Sequence, residues 1–416
     1  MIPSVKLKYC LTMSDSGTWG DDADGATGVP VLRSTEIGLD GSIDPREPAL
    51  RSLNSHERTR TRLFEGDILV VRSSGSDLHL GKAGYVNARS AGLSFSNFLQ
   101  RLRFHPAYNS RFAWHFLNSA NAKQQIRKLS STTTGLQNLS ASLISELEIP
   151  TPSLAQQRQI AEFLDAETAK LTRIENRSQR LTRLLDERES ALTRDCFTFH
   201  MQEGVSRLPL RRAVRRWIDY RGATPLKTSS GIPLVTAKNI KDGRIDLEAS
   251  REYIAADSYA DWMRRGLLEA DDILLTTEAP LGQVAMVSDT SIALAQRIIV
   301  LRAERHVCWP EWLYWYLRSP QGRSELELRA TGSTALGIKA DRLRGVPIPL
   351  PILSEAAQRL GQLSTGVTQI ESLRRQLTKQ RTLVAERRQA LITAAVTGQF
   401  DVSTASGRNV TEGVSA

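Results

Sequence analysis

The chain carries an internal duplication with a period of about 200 residues, and this repeat constrains its architecture more than any other feature. Glu187 and Leu192 return 199 positions later as Glu386 and Leu391, each within similar sequence. A longer stretch of mixed composition precedes both copies. This order predicts two similar globular domains, here called heads, each followed by a similar helical segment, here called a stalk, in an internal pseudo-twofold repeat.

Each head has the pattern of an α/β domain, of the α+β kind. Short apolar runs after turn residues, at 68–71 and 273–275, predict buried strands. Residues 109–128 predict a helix, and its second copy lies around Trp312 at an offset of 200. Strands and helices over about 150 residues are typical of one domain.

The stalks follow proline-rich exits that end at Pro152 and Pro351. Apolar residues then recur at steps of three and four, which predicts two helices of about 40 residues, or roughly 60 Å each. Ser153 or Ser354 is placed to cap them. The predicted seam of this spacer coiled coil consists of Ile160, Leu164, Leu171, Ile174, Leu181, Leu185, Leu192, Leu363, Ile370, Leu377, Val384 and Leu391.

A lone helix with so narrow an apolar stripe would leave that stripe in water, so the other stalk is the expected partner. Because the chain must return through a head, we predict an antiparallel pair of long helices; packing of each stalk on its own head stays open. The predicted segments are 1–152 (head), 153–203 (central spacer helix), 204–352 (head), 353–403 (C-terminal spacer helix) and 404–416 (disordered tail).

Charge points to a polyanionic partner. Lys and Arg number 55 against 45 Asp and Glu, which gives a formal net charge of +10. Such a balance favours nucleic acid, although a merely basic protein fits it too. The three cysteines are far apart and form no C-x-x-C pair, which indicates a reducing compartment. With no apolar run of 18 residues, we expect a cytoplasmic protein that does not contact the membrane.

Motifs for catalysis are absent from the sequence. Residues 75–82 resemble a phosphate loop, but the glycine spacing is too long and Ala83 replaces the residue that would bind magnesium. The six histidines lack metal-ligand spacing, and no cofactor fingerprint occurs. We therefore expect no metal, no cofactor and no enzymatic activity in this chain, with a hidden active site as the open alternative.

Aromatic residues cluster between Trp309 and Tyr316. They could stack on bases, but their helical spacing favours core packing. Polar loops after predicted strands are better candidates for DNA contact, against the alternative of ordinary solvated loops. The candidate DNA-binding residues are Arg33, Arg72, Ser73, Ser74, Asn97, Gln137, Asn138, Lys238, Asn239, Thr276, Thr277, Gln296, Arg297 and Lys339.

Two segments carry a resemblance to a known family. Residues 383–402 resemble the C-terminal signature of the specificity subunits of type I restriction–modification systems. The exit Ile149-Pro150-x-Pro152-x-Leu154 is similar to the central repeat of that family, and the order head, helix, head, helix covers essentially the whole chain.

The resemblance implies that each head is a target recognition domain for one half of a split, asymmetric site in double-stranded DNA. It further implies that the helices form a spacer on which two methyltransferase subunits dock, with restriction or translocase subunits as further partners. S-adenosylmethionine, ATP and magnesium would then belong to those partners. The alternative is a two-headed coiled-coil scaffold that does not bind DNA.

The two copies also differ from each other. The second exit has Ala356-Ala357 before Gln358, which departs from the spacing usual in the family. Residues 334–338 lack the Gln137-Asn138 pair of the first head. We therefore expect the two heads to read different sequences through different contacts.

Overall fold

The computed structural model describes residues 2–23, 28–74, 79–133, 136–199, 204–220, 224–332 and 336–402. The predicted tail, 404–416, lies outside the described residues. The chain divides into two compact units: unit 1 is Met1–Ser178 with Thr378–Ala416, and unit 2 is Gln179–Leu377. Each unit therefore contains one head together with part of both long helices. The five-segment division made from the sequence stays a prediction.

Head 1 is built on a four-stranded antiparallel sheet of order β2-β10-β6-β8 and a second sheet of order β3-β5-β4-β9. A three-stranded sheet, β11-β12-β7, and the pair β1-β13 complete it. The strands are β1 Ser4–Lys6, β2 Leu11–Ser16, β3 Asp21–Asp22, β4 Val29–Leu32, β5 Ala49–Ser52, β6 Ile68–Val71, β7 Ser73–Ser74, β8 Ala83–Tyr85, β9 Ser94–Phe95, β10 Leu99–Phe104, β11 Ser131–Thr133, β12 Leu136–Asn138 and β13 Glu148–Pro150. Its helices are α1 Ser55–Thr61, α2 Ser110–Leu117, α3 Ala120–Leu129 and α4 Ala141–Ser145.

Head 2 repeats the four-stranded antiparallel sheet of head 1 and differs in its smaller sheets. Its four-stranded antiparallel sheet has the order β15-β23-β20-β21, beside β19-β16-β22, β17-β18 and β14-β24. The strands are β14 Ser206–Pro209, β15 Val214–Asp219, β16 Ile232–Val235, β17 Ile240–Lys241, β18 Arg244–Ile245, β19 Tyr253–Ile254, β20 Ile273–Thr276, β21 Val284–Met286, β22 Ala293–Leu294, β23 Ile298–Ala303 and β24 Pro347–Leu350. Its helices outside the stalks are α6 Leu210–Ala213, α7 Tyr259–Trp262, α8 Pro310–Arg318, α9 Pro320–Arg329 and α10 Ala340–Arg344.

The core strands are where the sequence predicts them. All four residues of β6 are fully buried, as are Ile273, Leu274 and Leu275 of β20. The helix predicted over 109–128 is two helices, because the chain leaves α2 at Asn118 and Ser119 caps α3 by accepting a hydrogen bond from the Ala122 amide. The aromatic run around Trp312 packs in the core of head 2, as its helical spacing indicates.

The two stalks are long helices, α5 Leu154–Cys196 and α11 Leu353–Thr397, of 43 and 45 residues. Ser153 caps α5, since its hydroxyl accepts from the Gln156 amide at 3.3 Å. Ser354, by contrast, lies inside α11, which already begins at Leu353. None of the helices in the described part of the chain combines the length and apolarity needed to cross a bilayer.

The long helices pack against each other in antiparallel order. In unit 1, Glu175 pairs with Arg388, and Ser178, further along α5, bonds to Gln380, which is nearer the start of α11. In unit 2, Arg374 of α11 binds Glu189 of α5. The stalks also contact their heads, because Ile160, Leu164 and Leu391 belong to the core of head 1. The two packing arrangements considered from the sequence therefore occur together.

Two predicted seam residues of α5 do not lie in the seam. Ile174 and Leu181 are 39% and 41% exposed. The buried line instead follows Leu164, Leu171 and Ser178 at steps of seven, and Leu185 and Leu192 continue it half-buried. In α11, Leu363, Ile370, Val384 and Leu391 are buried and Leu377 is half-buried. A narrow contact between two helices uses one such line on α5, which leaves the alternate apolar positions in solvent.

Candidate nucleic-acid interface

Three polar segments of head 1 are joined by backbone hydrogen bonds. The Arg72 amide, just after β6, donates to the Phe98 carbonyl at 3.0 Å, in the turn that precedes β10. The Arg72 carbonyl accepts from the Leu139 amide at 2.7 Å, just after β12. Ser73 pairs with Asn138 in the β7–β12 ladder. We call residues 72–74, 97–98 and 137–139 loop cluster 1.

Head 2 repeats the same bonds at matching places. The Thr277 amide donates to the Arg297 carbonyl at 2.9 Å, and the Thr277 carbonyl accepts from the Ile338 amide at 3.0 Å. We call residues 276–278, 296–297 and 337–339 loop cluster 2. Phe98 and Arg297, which stand 199 positions apart, therefore occupy the same place in the two heads.

The structure thus brings together most of the residues predicted to contact DNA. Cluster 1 holds Arg72, Ser73, Ser74, Asn97, Gln137 and Asn138, and cluster 2 holds Thr276, Thr277, Gln296, Arg297 and Lys339. Asn97, Asn138, Arg297 and Lys339 are exposed, and Arg72, Ser73, Ser74 and Gln296 are half-buried. The side chain of Gln137 lies outside the described residues, although its backbone pairs with Ser74.

An ion pair sits on cluster 2. Arg297 Nε lies 3.1 Å from Glu278 Oε1, and both side chains are 49% exposed. Glu278 is held by a backbone bridge to Gly337, in the segment that enters the cluster from α9. Arg297 has φ of +78°, a conformation uncommon for a residue with a side chain. The backbone conformation and the ion pair together restrict the orientation of the Arg297 side chain.

Basic residues lead into both clusters. Arg127 and Lys128 form the last turn of α3, just before the segment that returns to cluster 1. Arg329 has the same place at the end of α9, and Lys339 directly precedes α10. Such placement favours a polyanion at the clusters.

Two predicted contact residues of cluster 2 require correction. Thr276 and Thr277 are buried, and both hydroxyls serve their own loop. Thr276 Oγ1 donates to the Pro280 carbonyl at 2.5 Å, and Thr277 Oγ1 donates to the Arg297 carbonyl at 3.2 Å. They hold the cluster together and offer no free surface to DNA.

Arg33, Lys238 and Asn239 lie on a different feature, the single 3-10 turns that follow β4 and β16. Asn239 is fully buried, and its amide donates to the carbonyls of Asp246 and Ser250, so it is a structural residue and not a surface contact. Lys238 is exposed beside it.

Arg33 is partly engaged within its own turn. Its guanidinium binds Glu36 at 2.7 Å and the Glu47 carbonyl at 3.1 Å. Burial disfavours the Glu36 carboxylate, but the hydrogen bonds from Arg33 outweigh it and lower the pKa of Glu36. Both groups therefore stay charged, and Arg33 keeps less of its surface for DNA than Lys238.

The sequence prediction missed Phe98, and it placed Glu278 in a candidate loop without including it among the contact residues. Neither residue type stands out in a loop, and only the repeat could have indicated them, by aligning the turn at Phe98 with Arg297. Within the described residues, no group of three or more His, Cys, Asp or Glu side chains is placed to hold a metal ion.

Comparison with known proteins gives consistent matches. Residues 50–183 match the type I restriction modification DNA specificity domain. The chain is 21% identical over 390 residues to the type I restriction enzyme EcoKI specificity subunit of Escherichia coli K12, covering 89% of this chain and 82% of that protein. Its identity to the StySPI specificity subunit of Salmonella potsdam is 23%, with the same coverage.

One solved structure has the same fold. It comes from work on the complex assembly and conformational transition of a type I restriction–modification system. The match has a TM-score of 0.69 and 17% identity, and it covers 96% of this chain and 100% of the other. At this identity the likeness concerns the fold: two α+β heads and two long helices that pack together.

Proposed function

The chain belongs to the specificity subunits of type I restriction–modification systems, and we propose on that premise that each head reads one half of a split, asymmetric DNA site. In this proposal it is the sequence-specificity subunit, the role for which its relatives are named, and it carries out no catalytic step itself. The chemistry on DNA is assigned to its partners.

The observation that supports this proposal is the pair of loop clusters. The same backbone hydrogen bonds position Arg72 with Phe98 in head 1 and Thr277 with Arg297 in head 2. Two heads that recognise different DNA sequences need different side chains, and a common backbone scaffold can place both sets in the same way. Base edges are read by side chains, whereas the backbone scaffold sets where those side chains point.

Charge supplies the sequence-independent part of binding. The chain carries a formal net charge of +10, and exposed basic residues such as Lys128 and Lys339 stand beside the clusters. Phosphate contacts of this kind position a protein on DNA and make its affinity fall steeply with salt. We assign Lys238, with the basic residues of the helix ends, to this class.

The long helices are proposed as the spacer between the half-sites. Each is continuous over more than 40 residues, or roughly 65 Å. We further propose that two methyltransferase subunits dock on this spacer and the heads, bringing S-adenosylmethionine, and that restriction subunits using ATP and magnesium join them in the cytoplasm.

The alternative is a two-headed scaffold that binds no DNA. An electrophoretic shift with the purified chain, with and without its methyltransferase partner, separates the two. The proposal expects a specific shift that weakens with salt; retention of protein partners without any DNA shift would favour the scaffold.

A second experiment tests the residue assignments. Methylation profiling of cells that carry the chain and its methyltransferase should give one bipartite motif. Arg72→Glu and Lys238→Glu should weaken DNA binding by the assembled complex, whereas Arg46→Glu, an exposed control paired only locally with Asp44, should not. Unchanged binding in both test variants would overturn the assignment of these loops.

A further inference from the structure

One position differs sharply between two otherwise matching clusters. Phe98 and Arg297 each precede an inner strand of a four-stranded sheet, β10 or β23, and their carbonyls accept from equivalent amides, those of Arg72 and Thr277. An aromatic ring in one head is thus replaced by a guanidinium in the other. The hydrogen bonds around both positions are equivalent, but the backbone conformation is not, because Arg297 has φ of +78° whereas φ of Phe98 is not positive. The two side chains therefore differ in chemistry and leave backbones of different conformation.

Phe98 exposes about half of its apolar surface. Its side chain is 51% exposed, and no aromatic or cation–π contact involves it within the described residues. Phe64 has the same exposure, but the guanidinium of Arg103 lies over its ring at 4.7 Å. Phe64 therefore packs against a cation of its own chain, whereas no described aromatic ring or guanidinium packs on Phe98.

Arg297 has the opposite chemistry. Glu278 contacts its Nε, and no described residue binds its two terminal nitrogens. A guanidinium anchored on one side keeps a planar pair of donors for a ligand with two acceptors. In DNA, the O6 and N7 atoms of guanine in the major groove provide that pair.

We propose that this single position discriminates the two half-sites, with Arg297 binding a guanine edge and Phe98 packing on a thymine methyl group. The thymine methyl is the apolar group that B-DNA presents in the major groove, and it suits an uncovered ring. The inference rests on the proposed function, because it assumes that the loop clusters face DNA. It deepens that function by naming a base in each half-site.

The test uses the assembled complex and DNA analogues that each remove one contact. Duplexes carrying the methylated motif are made with deoxyuridine in place of each thymine, or 7-deazaguanine in place of each guanine. The wild-type complex should lose about fourfold in affinity at one deoxyuridine, the value of one buried methyl group. It should lose roughly fivefold or more at one 7-deazaguanine, in the other half-site.

The variants assign each loss to its residue. Phe98→Ala should bind deoxyuridine and thymine duplexes equally at that position, and Arg297→Ala should bind guanine and 7-deazaguanine duplexes equally at the other. Phe98→Leu and Arg297→Lys are conservative variants that control for misfolding. Phe98→Leu keeps an apolar contact, whereas Arg297→Lys keeps the charge but loses the two coplanar donors of the guanidinium. Phe64→Ala and Arg251→Ala are matched controls, the latter removing an exposed arginine that pairs with Glu248.

The outcomes separate the inference from the function beneath it. Position-specific insensitivity of the two variants supports the inference. Equal analogue losses in the wild type and the variants, or a uniform fall in affinity at every position, overturn it while the function stands. A wild-type complex that binds its motif and random DNA alike would overturn the proposed function itself.

Discussion

Glu189 of α5 and Arg374 of α11 form an ion pair of 2.6 Å in unit 2, and the repeat reverses its charges. In unit 1, Glu175 pairs with Arg388 at 2.8 Å. Glu175 and Arg374 stand 199 positions apart, as do Glu189 and Arg388, so equivalent positions carry opposite charges. Both pairs take the acid from α5 and the base from α11. An antiparallel pair of two α5 helices would instead place Glu175 opposite Glu189, and the two carboxylates would repel each other. The charges therefore favour pairing of α5 with α11.

The first prediction is reciprocal rescue at the pair in unit 1. Glu175→Arg should lower the free energy of unfolding by about 1–3 kcal/mol, because it places two cations together in a partly buried contact. Arg388→Glu should do the same, and should also lose the bond from Arg388 to Thr172. The double variant should recover most of the loss. Thermal unfolding of the full chain, as a double-mutant cycle, measures the coupling.

A control separates contact from net charge. Asp261 and Arg264 form an exposed pair outside the long helices, with side chains 81% and 73% exposed, and exchanging their charges should change stability by less than about 0.5 kcal/mol. If the losses at Glu175 and Arg388 simply add in the double variant, the ion pair does not couple the two helices.

Two glycines of α11 should respond differently to substitution. A Cβ at Gly361 would meet no atom within 4 Å, so Gly361→Ala should stabilise the chain by up to about 1 kcal/mol through helix propensity. At Gly366 the Cβ would lie 2.7 Å from Leu192 Cδ1, so Gly366→Val should destabilise it by about 1–3 kcal/mol. Chemical denaturation of both variants measures the difference; equal effects would contradict the close helix approach at Leu192.

Acid should weaken unit 1 through His115. Burial lowers the pKa of His115 below its ordinary 6.5, opposed in part by the hydrogen bond to Asp165, and the nearby Arg111 and Arg388 act with burial. As the pH falls below 6.5, His115 is therefore protonated in the unfolded chain but stays neutral in the folded chain. The free energy of unfolding should decrease there by up to about 1.4 kcal/mol per pH unit.

The measurement is thermal unfolding between about pH 7.5 and about pH 5.5. His115→Gln, which can still donate to Asp165, should flatten the dependence, while the exposed His56→Gln should not. Asp165 does not interfere in this window. Although burial opposes its ionisation, His115 and Arg111 lower the pKa of Asp165 below 3.8, so its contribution is lost only in stronger acid. An unchanged slope in His115→Gln would exclude His115 as the source.

The repeat and the apolar spacing were sufficient to predict the long helices. The predicted start of the first, at 153, differs by one residue from Leu154, and the buried strand at 68–71 is β6. These features follow from periodicity, which one helix or strand determines locally. Which stripe of α5 is buried depends on the partner helix, so the exposure of Ile174 and Leu181 was not readable from α5 alone.

The candidate site was harder to predict for a related reason. Small polar residues occur both in surface loops and as buried partners of backbone groups, and sequence does not distinguish the two. Asn239, Thr276 and Thr277 are of the second kind. Phe98 shows the converse, since an aromatic residue next to a strand is expected in the core but here stands on a turn. Both errors concern burial, which depends on contacts between distant parts of the chain.

The last prediction tests the spacer. The chain passes from one compact unit to the other between Ser178 and Gln179 in α5 and between Leu377 and Thr378 in α11, which are equivalent positions of the repeat. Inserting seven helix-forming residues at both places keeps the heptad register and adds about 10 Å of helix, or about three base pairs. Methylation profiling should then give the same two half-sites with a gap longer by about three base pairs. The same insertion in α5 alone breaks the register with α11 and should abolish a defined motif. An unchanged gap in the double insertion would show that the helices do not set the distance between half-sites.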